Sequence, residues 1–120
     1  MLVVDDEIPI RKLAESMLAR KGYSVMTAGS GEEALEMYRR KGAHIDLVVL
    51  DLGMPGMGGE KCLEELKKID PAVRVLVASG YSGGGQAKKY SDLGAGCYIT
   101  KPYRFEALLA AVREALSTGP

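Results

Sequence analysis

The sequence predicts an α/β domain built on a parallel sheet. Short apolar runs alternate along the chain with longer stretches of helical period. The runs are continuous, as in strands covered on both faces, and glycine or proline punctuates their ends. At 120 residues the chain has the length of one domain with a real core, so residues 1–120 are expected to form a single unit with its core over 2–116 and a short tail over 117–120.

The elements follow in order. Leu2 to Val4 read as strand one. Ile10, Leu13, Ala14, Met17 and Leu18 then recur at helical spacing, with Pro9 suited to a first turn and Gly22 to a stop. Val25 to Ala28 read as strand two. Ser30 is placed as an N-cap with Glu33 three residues on, and Ala34, Leu35 and Tyr38 form the inward stripe of helix two, which Gly42 ends. Leu47 to Leu50 make a central strand. Cys62, Leu63, Leu66 and Ile69 mark helix three before Asp70-Pro71. Val73 to Ala78 are strand four, Cys97 to Thr100 strand five, and Phe105, Leu108, Leu109, Val112 and Leu116 give the clearest helical stripe. Between strands four and five the pattern is weak. Gly83-Gly84-Gly85 and Gly94-Ala95-Gly96 bracket a stretch with only Ala87, Tyr90 and Leu93 as apolar candidates, so helix four is predicted to be the least stable.

Composition narrows the function. Sixteen Lys and Arg balance sixteen Asp and Glu, which gives no basic field for direct nucleic-acid binding and no acidic excess for disorder. Cys62 and Cys97 are too few for a disulfide framework, and the single histidine, His44, leaves no Cys/His set for zinc. The apolar runs are too short for membrane insertion, and a cytoplasmic setting is expected, with a parent protein that could itself be membrane-anchored.

The acidic residues fall where an open parallel sheet places its crevice, at the carboxyl ends of strands. Asp5 and Asp6 follow strand one and Asp51 follows strand three, so three carboxylates should converge. Such a cluster is unfavourable without a cation. Oxygen ligands with room for water and phosphate suit Mg2+, with Mn2+ as a substitute. Ser79 after strand four and Lys101 after strand five add a hydroxyl and a positive charge, an inventory that fits phosphoryl transfer. Each residue also has a plainer reading. Asp5 or Asp6 could cap helix one, Asp51 could be a turn residue before Gly53-Met54-Pro55-Gly56, Ser79 a turn former beside Gly80, and Lys101 a solvated charge. Four coincidences at one sheet edge are needed to keep all of those readings together.

Leu2-Val3-Val4 followed by Asp5-Asp6-Glu7, the segment from Asp51 to Gly59, the Ala78-Ser79-Gly80-Tyr81 turn and Lys101-Pro102-Tyr103 together resemble the receiver domains of response regulators and hybrid histidine kinases. The resemblance spans Leu2 to Leu116. It implies a flavodoxin-like (βα)5 three-layer sandwich with strand order 2-1-3-4-5. Helices one and five would cover one face, and two to four the other.

The resemblance also implies roles. Asp51 is similar to the phosphoacceptor that attacks a phosphohistidine on a partner histidine kinase or histidine phosphotransfer domain. Asp6 and Asp51, with the backbone carbonyl of Gly53, are the implied direct metal ligands, and Asp5 the one acting mainly through water. Lys101 pairs with phosphoryl oxygens, Ser79 hydrogen-bonds the phosphate, and Tyr98 is the switch aromatic, with an ordinary half-buried strand tyrosine as its plainer reading. A cis Lys101–Pro102 bond is implied. Helix four, strand five and helix five make the expected output face and a homodimer surface. The Ser79-Gly80-Tyr81 turn and the early start of strand one resemble a module excised from a hybrid sensor kinase, with a free-standing regulator as the alternative. A haloacid-dehalogenase-like phosphatase would need a second aspartate where Gly53 stands, and a flavodoxin-like carrier would not place Asp5, Asp6 and Glu7 at a phosphate loop. A degenerate receiver would lack one of the residues present here. For this domain alone, no independent enzyme activity is expected beyond self-catalysed gain and loss of the phosphoryl group.

Overall fold

The structure, a computed structural model, describes residues 1–54, 56–80, 94–101 and 103–117. Among them are strands β1 (Leu2–Val4), β2 (Met26–Ala28), β3 (Val48–Asp51), β4 (Val75–Ser79) and β5 (Cys97–Thr100). All pairings are parallel, in the order β2-β1-β3-β4-β5, which is the flavodoxin-like order expected. Helices α1 (Ile8–Arg20), α2 (Gly31–Lys41) and α3 (Gly59–Ile69) and the C-terminal helix (Phe105–Ser117) flank the sheet, with a 3₁₀ turn at Gly42–His44.

Strand side chains alternate between faces, and that alternation divides the apolar residues into two cores. Leu2, Val4, Val48, Leu50, Val75 and Val77 face α2 and α3, where they meet Leu35, Cys62, Leu63 and Leu66. Val3, Leu47, Val49, Leu76, Ala78 and Ile99 face α1 and the C-terminal helix, where they meet Leu18, Leu108 and Val112. Each fully buried Leu or Val contributes about 1.5–3 kcal/mol of transfer free energy. Double coverage explains why the β3 run is continuously apolar.

Helix ends follow the local chemistry. The Ser30 side chain accepts a hydrogen bond from the Glu33 N–H at 3.1 Å, as its N-cap position predicts. Pro9 lies in the first turn of α1, but neither Asp5 nor Asp6 caps that helix. Its N-cap is Glu7, which makes no side-chain cap bond, and Asp5 is instead committed to the turn before it.

Several details differ from expectation. Leu13, assigned to the inward stripe, is 55% exposed. Ala14 and Leu18 form the buried centre of α1, and Leu13 lies one flank away, on the rim of a cleft between α1 and the C-terminal helix that Met17, Tyr103 and Phe105 also line. Ile69 ends α3 at the surface. Strand four begins two residues later than predicted and runs on to Ser79, because its pairing with β3 starts at Val75 and its pairing with β5 extends to Ser79. The predicted helix four, with Gly83-Gly84-Gly85, Ala87, Tyr90 and Leu93, lies outside the described residues, as do Pro55, Tyr81 and Pro102 and hence the Lys101–Pro102 peptide bond.

Candidate phosphoacceptor and metal site

Strand register builds the site. Val4 pairs with Leu50, Asp51 with Ala78 and Ser79 with Thr100, so the residues just beyond β1, at the end of β3, at the end of β4 and just beyond β5 share one sheet edge. Asp5 and Asp51 are buried there and Asp6 is exposed. One carboxylate oxygen from each of the three lies within 4.8 Å of the others.

Lys101 provides the positive charge. Its Nζ lies 3.2 Å from Asp5 Oδ2 and 3.3 Å from Asp51 Oδ2, with Glu7 Oε1 at 3.9 Å and only 15% of its side chain exposed. Its backbone N–H donates to the Ser79 carbonyl, which ties the start of the β5 loop to the end of β4. Burial alone would push the ammonium's pKa down, but the charges of Asp5 and Asp51 and their hydrogen bonds more than offset it, and the net direction is upward. Lys101 therefore stays charged at neutral pH. Three carboxylates against one ammonium still leave two negative charges uncompensated.

The individual oxygens are not equivalent. Asp51 Oδ1 accepts the Gly53 N–H at 2.9 Å, and its Oδ2 faces Lys101. Both oxygens of Asp5 are engaged, Oδ1 by the Glu7 N–H at 2.9 Å and Oδ2 by Lys101. Asp6 projects into solvent. The donor set is all oxygen, hard and anionic, which fits Mg2+ or Mn2+. Asp5, Asp6 and Asp51 are thus brought together as the sequence predicts. Gly53 adjoins them through its amide.

Ser79 is buried at the end of β4, one residue past the partner of Asp51. Tyr98 is half-buried against the α2/α3 core, and its hydroxyl accepts a bond from Thr100 Oγ1 at 3.2 Å. Sequence reasoning missed Arg11 and gave Tyr103 no role beyond its place in the Lys101-Pro102-Tyr103 junction. Arg11 Nη1 donates to the Asp5 carbonyl at 2.9 Å. The Tyr103 phenol is pushed up in pKa, first by burial and then by the charge of Asp5, with Lys101 opposing. The one available signal for Arg11 was its place a helical turn after Glu7 on the site end of α1.

A doubly wound sheet with an acidic strand-end pocket and a strand-end lysine defines a phosphoacceptor module. Residues 1–113 match the family described as the response regulator receiver domain, and the chain belongs to that family. A probable transcriptional regulator, ycf27 of Porphyridium aerugineum, is 39% identical over 97% of this chain and 47% of its own length. The sensor kinase CckA of Brucella abortus is 34% identical over 97% of this chain and 12% of its own length. Sporulation initiation phosphotransferase F of Bacillus subtilis is 32% identical over 97% of this chain and 92% of its own length. The chain thus spans about half or less of the regulator and the kinase it matches. The crystal structure of the CheX-CheY-BeF3-Mg+2 complex from Borrelia burgdorferi superposes with a TM-score of 0.92 at 30% identity, over 98% of this chain and 88% of that one. Among the described residues no helix is long and apolar enough to cross a membrane.

Proposed function

We propose that Asp51 takes a phosphoryl group from the phosphohistidine of a histidine kinase or histidine phosphotransfer domain, with a divalent cation held by its acidic neighbours. The observation that carries this reading is the Lys101 ammonium held between the buried Asp5 and Asp51 carboxylates at the strand ends, at 3.2 and 3.3 Å. In the transfer an Asp51 oxygen forms a bond to phosphorus as the phosphorus–nitrogen bond to the donor imidazole breaks. The electron pair of that bond stays with the imidazole, which takes a proton from solvent water on its far nitrogen and leaves neutral. The Gly53 N–H holds the rotation of the Asp51 carboxylate. Lys101 exchanges a carboxylate for the phosphoryl oxygens, where it meets the charge that a loose transition state spreads over them.

Asp6, Asp51 and the Gly53 carbonyl would hold Mg2+, and Asp5 would act through water. When bound, the ion neutralises the two excess negative charges and stabilises charge on the phosphoryl group. Ser79 then bonds the phosphate, Tyr98 turns inward, and the surface of β5 and the C-terminal helix, together with the segment predicted as helix four, changes for an output partner or a second copy. Residues 1–120 act as one module. The Ser79-Gly80 turn and the likeness to a Brucella sensor kinase favour a hybrid-kinase parent. A free-standing regulator is the second reading, favoured by a sporulation phosphotransferase matched over 92% of its length.

Intact-mass measurement after incubation with Mg2+ and acetyl phosphate tests the assignment. Wild type gains one phosphoryl group and Asp51→Asn gains none. An unmodified wild type, or an equally modified variant, rejects it.

A further inference from the structure

The phosphoacceptor chemistry makes no direct use of Arg11, yet this side chain reaches from α1 onto the turn that carries the acidic pair. It is half-buried, and its Nη1 donates to the carbonyl of Asp5. That carbonyl belongs to the peptide joining Asp5 to Asp6. The other side of Asp5 is held as well, because its N–H donates to the Ala28 carbonyl at 3.1 Å and its Oδ1 accepts the Glu7 N–H. These three bonds hold the Asp5–Asp6 peptide and the Asp5 carboxylate, and with them the backbone from which the exposed Asp6 side chain emerges.

The guanidinium occupies a prepared space. A Cβ on Gly29, the residue after β2, would stand 2.6 Å from Arg11 Nη1, closer than real carbon–nitrogen contacts allow. The absent side chain of Gly29 is therefore the room into which Arg11 fits. Partners that hold a metal ligand from behind affect affinity without touching the ion.

We propose that Arg11, seated on Gly29, is a positioning residue that presents Asp5 and Asp6 for divalent-cation binding. The inference rests on the reading that these carboxylates hold such an ion. Charge and positioning act in opposite directions here. A cation beside an acidic cluster weakens binding of a second cation by repulsion, so a role in charge alone makes Mg2+ bind more tightly when Arg11 is removed. A positioning role makes it bind more weakly.

The test uses the full chain, with Mg2+ titrated calorimetrically and exchange of the Asp5 and Glu7 amides followed by NMR without metal. Arg11→Met and Gly29→Ala are each expected to weaken Mg2+ binding about tenfold and to speed exchange of the Glu7 amide, and Arg11→Lys should fall between. Gly29→Ala keeps the charge and displaces only its seat. Unchanged or tighter binding in Arg11→Met, or unchanged binding in Gly29→Ala, overturns the proposal. A wild type that binds no Mg2+ overturns the cation reading beneath it, and the proposal with it.

Discussion

Replacing Lys101 with methionine keeps the aliphatic stem and removes the charge between two buried carboxylates. At 3.2 and 3.3 Å, each ion pair is worth about 5 kcal/mol at an effective dielectric constant near 20, before desolvation. Desolvation of the ammonium takes back several kcal/mol, and removing one partner of a buried pair typically costs about 3–5 kcal/mol net. With 15% of the side chain in water, the lower figure applies. The metal-free variant should thus lose about 3 kcal/mol, or about 12 °C in Tm for a chain of this size. Excess Mg2+ should then recover more in the variant than in wild type, because the ion no longer shares its carboxylates with an ammonium. A tenfold tighter Kd corresponds to about 1.4 kcal/mol of additional stabilisation. Phosphorylation by acetyl phosphate should nonetheless fall by about a hundredfold, the usual loss when one group stabilising transition-state charge is removed. Thermal and urea unfolding with and without Mg2+ measure the first two effects, and intact-mass time courses measure the third. A metal-free variant within about 0.5 kcal/mol of wild type, the spread expected of ordinary surface substitutions, would show that the pairs contribute nothing net.

Two further outcomes follow from the packing. The Tyr38 hydroxyl donates to Asp70 Oδ2 at 2.7 Å. Burial and this bond raise the phenol above its ordinary 10.0, and the same bond, helped by the Ala72 N–H, lowers Asp70 below 3.8. The raised Tyr38 contributes stability that is complete below pH 10 and lost as pH rises through its folded value, whereas the lowered Asp70 contributes stability that is present above 3.8 and lost as pH falls through its own. Tyr38→Phe should cost about 1 kcal/mol at neutral pH and flatten both limbs of a stability–pH curve measured by urea unfolding, and a variant with unaltered limbs would contradict the pairing. Gly59 opens α3 so close to β3 that an added Cβ would stand 2.7 Å from the Asp51 carbonyl oxygen and closer still to Leu52 Cα. Gly59→Ala should therefore cost about 2 kcal/mol and slow phosphorylation of Asp51, whereas wild-type values for both the denaturation midpoint and the phosphorylation rate would show that α3 does not abut the site.

Much of the site could be read from residue order. In a parallel sheet all strands run the same way, so the residue after each apolar run arrives at one edge whatever the strand order. Asp5, Asp6, Asp51, Ser79 and Lys101 could therefore be grouped before any coordinates. The same logic gave the two cores, because an uninterrupted run such as Leu47 to Leu50 supplies apolar side chains to both faces. What local pattern could not supply was which oxygen meets which donor. Lys101 lies 96 residues from Asp5, and only the β2-β1-β3-β4-β5 order and its register bring its ammonium between Asp5 and Asp51, with Asp6 left in solvent. Helical spacing likewise placed Leu13 on the inward face, but it could not show that the packing of α1 against the C-terminal helix leaves Leu13 on the exposed rim of the cleft between them. The seat of Arg11 on Gly29 and the approach of Gly59 to β3 depend on interhelix and helix–strand distances of a few ångströms. Those distances are set by the packing of the whole chain, whereas periodicity and strand-end chemistry are properties of adjacent residues.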